Sequence, residues 1–356
     1  MKKKYSLTIV ILIVSIIIYI GISNGLLGGN RSSLISGENS HTELSSDVEA
    51  EGEADSDLNN KINGVESLDL EKPLEHTGSI EEGIFLFEDK ESGFFVKERK
   101  GYYISKYGKI KVREWEKFSH VEHRYKDVIE FLTEVDYLVE SISQYLNKPN
   151  WLDEYKEKQG EAFDGLINFK FLYGNISFVV TYDYFILEVN INADDFKEGI
   201  PPLAHELAHL IARNGSHLAL TEGLAQVIQG EFSNMDLSIH LHEIIIPYSK
   251  FYLTEENQIA IDAISKLEEL ELDFYGDSFE LVDSFYTLSY SFVKYLIDEY
   301  GIDKFMEIYY AEDLNSKYEE IYGKNAEQLC EEWTDYVNEY IFDWEEYYNR
   351  QEKNQS

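Results

Sequence analysis

The chain has 356 residues, 14% of them aromatic, enough for one or two domains with a substantial core. Its formal net charge of −37, from 31 Lys+Arg against 68 Asp+Glu, argues against a nucleic-acid partner and against broad adsorption to anionic lipid. The single cysteine, Cys330, excludes an internal disulfide and reads as a small buried hydrophobe on the apolar side of a helix.

Lys2, Lys3 and Lys4 precede an uncharged apolar run from Leu7 to Ile22. Residues 1–30 therefore read as a membrane anchor or signal sequence, with the positive end cytoplasmic and the rest of the chain outside. The uncleaved anchor is the favoured form; secretion after cleavage is the alternative. Residues 31–80 read as a linker. The stretch SSDVEAEGEADSDLNN (45–60) is acidic, small and free of aromatics, and it cannot bury enough surface to offset its ordering entropy.

Composition changes near Ile84. GIFLF (83–87), GFFVK (93–97) and GYYIS (101–105) predict a small antiparallel region over 81–120. Apolar residues from Val121 to Leu146, spaced by three and four, predict an amphipathic helix. Strand patterns return at 167–173, 176–182 and 184–191. Helices are expected at 201–213, 222–231, 256–270, 281–299, 302–310 and 326–347. Strands followed by helices, without βαβ alternation, indicate an α+β fold.

The chemistry lies in PPLAHELAHLIARNG (201–215). Two prolines suit a helix start, and Asn214-Gly215 suits its stop. Positions i and i+4 share a helix face, so His205 and His209 point the same way, close enough for one metal ion. Glu206, adjacent to the first ligand, is placed to take a proton from water there. Glu222, in LTEGLAQVIQG (220–230), lies thirteen residues after His209. A tight turn and an antiparallel second helix would return it to the histidine face as a third ligand, leaving a fourth position open.

HELAH followed by TEGLA resembles the gluzincin metallopeptidases, thermolysin-like enzymes whose third ligand is a glutamate on the following helix. The metzincin pattern is excluded by Ala212 and Gly215. The likeness extends to the envelope proteins called peptidase MA-like, through the aromatic helix Tyr286–Gly301, Ile321-Tyr322-Gly323 and Trp333, and covers about 120 to 350. It implies a zincin-like catalytic domain over 81–350, with its gluzincin-like core at 121–350. One Zn2+ per chain would be held by His205, His209 and Glu222. Peptide hydrolysis would use Glu206 as general base on a protein or peptide substrate. It also implies an oxyanion donor from the C-terminal part, for which Tyr286 is the candidate and Tyr290 the second. By the same likeness, strand 184–191 would pair with extended substrate. The chain departs from thermolysin-like relatives at Gln226, where they place an aspartate that supports a zinc histidine. His217 reads as a loop residue, solvated or touching substrate. His240 and His242 read as an edge strand or extended loop, and His120 and His123 as structural or exposed. The competing expectations are a catalytically degenerate scaffold at the cell surface and a structural zinc site.

Overall fold

The computed structural model describes residues 10–12, 83–118, 124–173, 177–180, 186–213, 215–268, 270 and 279–354. Apart from 10–12, the anchor or signal reading of 1–30 and the linker reading of 31–80 lie outside them, as do His120 and His123. Among the described residues no helix is long and apolar enough to cross a membrane.

One mixed sheet gathers β1 (Val10–Leu12), β2 (Ile84–Glu88), β3 (Phe95–Arg99), β4 (Tyr102–Ile104), β5 (Gly108–Lys111), β6 (Ile167–Leu172), β7 (Ser177–Val180) and β8 (Glu188–Asn192). Their order is β1-β7-β8-β6-β5-β4-β3-β2. The three aromatic segments near residue 84 form the antiparallel run β2–β4, as their pattern predicts, and β5 extends it. β6 is parallel to both β5 and β8, and β7 is antiparallel to β8. Alternation divides the faces: Ile110, Ile167, Phe169, Phe171, Val189 and Ile191 are buried toward the helices, while Lys109, Asn168 and Lys170 face outward.

Strand 184–191 is shorter than expected and is not an edge. β8 lies between β6 and β7 and pairs on both sides. With both rows of its backbone groups paired, it has none to offer a substrate strand.

The first helices are α1 (Val112–Glu116), α2 (Val128–Tyr145), α3 (Trp151–Gln159) and α4 (Ala193–Glu198). α2 covers the sheet through Phe131, Leu132, Val135, Val139 and Ile142, all fully buried. It starts at 128, not 121, because the Asp127 side chain accepts from the Ile129 and Glu130 amides and caps it there. Its one buried carboxylate, Asp136, accepts from Ser105 Oγ and from the Lys106 and Tyr107 amides. Burial still pushes that carboxyl up to about 6, against these bonds. A folded-state value above the unfolded one contributes stability at low pH, and this is lost as pH rises through about 6. Measured against Asp136→Asn in urea unfolding, the parent should lose about 1 kcal/mol between pH 5 and 7.

The rest is helical: α5 (Leu203–Ala212), α6 (Leu218–Phe232), α7 (Asp236–Ser249), α8 (Gln258–Ser265), α9 (Phe279–Tyr300), α10 (Ile302–Tyr309), α11 (Leu314–Tyr322), α12 (Ala326–Glu339) and α13 (Trp344–Asn354). The expected helix at 326–347 is two, because Asp343 starts a new one by accepting from the Glu346 amide. α6 and α9 pack along each other. Gly223 allows this: a Cβ there would sit 2.5 Å from Ser289 O and 2.5 Å from Val293 Cγ2. Farther along α9, Trp333 of α12 is fully buried and donates from its indole to Ser291 Oγ. Cys330 is buried as expected, and burial pushes its thiol up to about 12.

Candidate metal centre

α5 carries the two histidines and Glu206, and every residue of this helix is buried. Pro202, its N-cap, supplies no side-chain cap. The missing acceptor comes from a neighbouring helix: the His205 amide donates to Gln229 Oε1 of α6 at 2.9 Å. Gln229 Nε2 in turn donates to Ser238 Oγ of α7. At the other end, Lys148 Nζ and the Tyr310 hydroxyl donate to Ala212 O, and the Tyr309 hydroxyl donates to Arg213 O. These satisfy carbonyls that a helix C-terminus leaves open.

α6 starts at Leu218, four residues before Glu222, so Glu222 sits in its second turn. His217 is the cap of this helix: its Nδ1 accepts from the Ala219 amide, and Nε2 contacts Glu268 O at 3.2 Å. It is buried, and neither solvated nor free for substrate.

The three expected ligands converge. His205 Nε2 and His209 Nε2 are 2.9 Å apart. Glu222 Oε2 lies 3.4 Å from the first and 3.6 Å from the second. Tetrahedral zinc with bonds near 2.0–2.1 Å holds its ligand atoms about 3.3 Å apart, so the donor set fits one such ion. Among the described residues this is the one group of three His, Cys, Asp or Glu that meets metal-ligand spacing.

The electrostatics fit a cation as well. Burial lowers the His205 imidazole to about 4, against the pull of Glu222, so it is neutral and available as a ligand at pH 7. Burial raises the Glu222 carboxyl, but the two imidazoles outweigh this and hold it at about 2. Burial pushes Glu206 well above the usual carboxylate range, with Glu222 and Asp195 adding to the rise. Both Glu206 oxygens and Glu222 Oε2 are buried without a hydrogen-bond partner. Three such oxygens are costly unless a cation and its water satisfy them.

Tyr286 is fully buried and hydrogen-bonds to Glu222, and its hydroxyl is raised by burial and by the Glu222 and Glu206 charges. Tyr290 points elsewhere: its hydroxyl is 2.6 Å from His242 Nδ1. His240 and His242 lie on α7, a helix and not an extended segment. Both ligand histidines have an Nδ1 without a partner, so Gln226 does not support them.

Gln229 escapes sequence reasoning, since its role depends on how α5 and α6 pack. Gln229→Leu should weaken zinc binding about tenfold in chelator competition, while Gln229→Glu, which keeps the acceptor, should stay near the parent. Equal affinity for all three proteins would remove Gln229 from the site.

No protein-family model, curated protein or solved structure matches the chain.

Proposed function

We propose that the chain is a zinc metallopeptidase of the gluzincin type, hydrolysing peptide bonds in protein or peptide substrates outside the cytoplasmic membrane. The reading rests on one observation: His205, His209 and Glu222 converge within metal-ligand spacing, with Glu206 one residue along the same helix. The N-terminal apolar run carries the location, as a single-pass anchor or a cleaved signal.

His205, His209 and Glu222 would hold the ion. Zinc, when bound, supplies Lewis acidity and draws the pKa of water toward neutrality. Glu206 accepts the proton of the attacking water and passes it to the leaving amine as the peptide bond breaks. Tyr286, beside Glu222, is the hydroxyl we assign to the developing oxyanion.

A second reading, a structural metal in a non-catalytic scaffold, draws on the burial of the centre. His205, Glu206, His209 and Glu222 are each 0–2% exposed. Against it, structural zinc is usually closed by four protein ligands, and this group has three.

The full chain, purified without a histidine tag, should carry about one zinc and cleave fluorescently labelled casein. A chelator should abolish cleavage while circular dichroism stays folded, and added zinc should restore it. Loss of fold with the metal would select the structural site. A folded chain that takes up no zinc would select the scaffold.

A further inference from the structure

The outward face of the sheet is cationic, in a chain with 31 basic and 68 acidic residues. Cross-strand register aligns Arg99 with Tyr102 and Tyr102 with Lys111. Ile110 opposite Phe169 then sets Lys111 beside Lys170 on the next strand. One row across four strands thus holds three cations and no carboxylate. The adjacent row brings Lys97, Ile104 and Lys109 together.

Some of this charge is compensated. Lys109 pairs with Asp164, and Lys170 with Glu188. Lys97, Arg99 and Lys111 have no carboxylate partner among the described residues, and Arg99 Nε is buried without a hydrogen bond. Lys97 lies over the rings of Phe85 and Phe95. A groove of about 380 Å³ on this face is lined by Tyr102, Lys109, Lys111, Asn168, Lys170 and Glu188. It contains none of the metal-centre residues.

The sequence holds a complement. Asp47, Glu49, Glu51, Glu53, Asp55 and Asp57 occupy every second position, separated by Val48, Ala50, Gly52, Ala54 and Ser56. Residues 32–60 contain no Lys or Arg. Extended, this segment puts all six carboxylates on one side, about 6.7 Å apart, which is also the spacing of same-face residues along a strand. Its small residues allow close approach. The residues from 58 to 82 can span about 80 Å, while the four strand steps from β2 to β6 cover about 19 Å. An acidic polymer in solution meets the repulsion of a chain carrying −37. A tethered segment meets the same face at an effective concentration on the order of millimolar.

We propose that residues 47–57 lie extended on the cationic face of this sheet, alternate carboxylates engaging Lys97, Arg99, Lys111 and Lys170. The contact draws the acidic segment back onto the domain at low ionic strength and releases it at high salt.

Carbodiimide cross-linking of the full chain in detergent tests this. Carboxylates of 47–57 should join Lys97, Lys109, Lys111 or Lys170 of the same chain, about fivefold above the exposed Lys126 and Lys304, and this excess should vanish near ~0.5 M NaCl. The variant E49Q/E51Q/E53Q/D55N alters nothing in the sheet. In it, Lys97 and Lys111 should acetylate faster than in the parent at low salt. Even cross-linking to the control lysines would overturn the proposal. So would cross-links found only between differently labelled chains, or equal acetylation in parent and variant.

Discussion

Glu206→Gln should lower peptide hydrolysis by about 10²–10⁴-fold while zinc content stays at that of the parent. The amide has the same shape and fits the same buried space. It cannot accept a proton from water, and that is the one property the proposed chemistry asks of this position. The ligands do not include Glu206: His205 Nε2, His209 Nε2 and Glu222 Oε2 come together without it. Steady-state rates and metal analysis on the same preparation check both halves. Full activity would remove Glu206 from the mechanism. Lost zinc would show that it supports the ion.

The second large effect concerns stability. Alanine ordinarily gains about 1 kcal/mol over glycine inside a helix. At Gly223 the sign should reverse, because the new Cβ meets a backbone oxygen and a valine methyl at 2.5 Å. α6 and α9 must then move apart, and Gly223→Ala should cost about 3 kcal/mol. For a domain of this size that is roughly a 5–10 °C drop in Tm. Because Glu222 is the neighbouring residue, zinc occupancy should fall as well. An unchanged melting curve would mean that the two helices adjust freely, and that the close approach does not fix the third ligand.

The metal helix was legible because its signals are local. Two prolines, an apolar stripe, an i/i+4 histidine pair and a polar stop all lie within 201–215, and the helix runs from 203 to 212. Glu222 followed from a short turn between two helices. Tyr286 came from the resemblance, and the fold brings it to Glu222. What the pattern missed depends on contacts between distant segments. Alternating apolar residues marked 184–191 as a strand, but strand order decides whether a strand is an edge, and its own residues do not carry that order. His240 and His242, at i and i+2 before Ile244-Ile245-Ile246-Pro247, have the local character of extended chain. They nonetheless lie on α7, where Ile244, Ile245 and Ile246 are buried in the core. Tertiary burial overrides propensity there. His217 became a cap because its ring meets the first free amides of α6, a match of geometry that composition does not show.

The two ends of α5 are held by groups from α6, α10 and the turn after α2: Gln229 at one end, Lys148, Tyr309 and Tyr310 at the other. A helix fastened at both ends from separate parts of the chain cannot fray turn by turn. Its amides open only when the surrounding elements let go together, as one cooperative unit. The two histidines therefore share the lifetime of the whole fold. A substitution that weakens a distant loop leaves them in place, and one that loosens the common unit releases both at once.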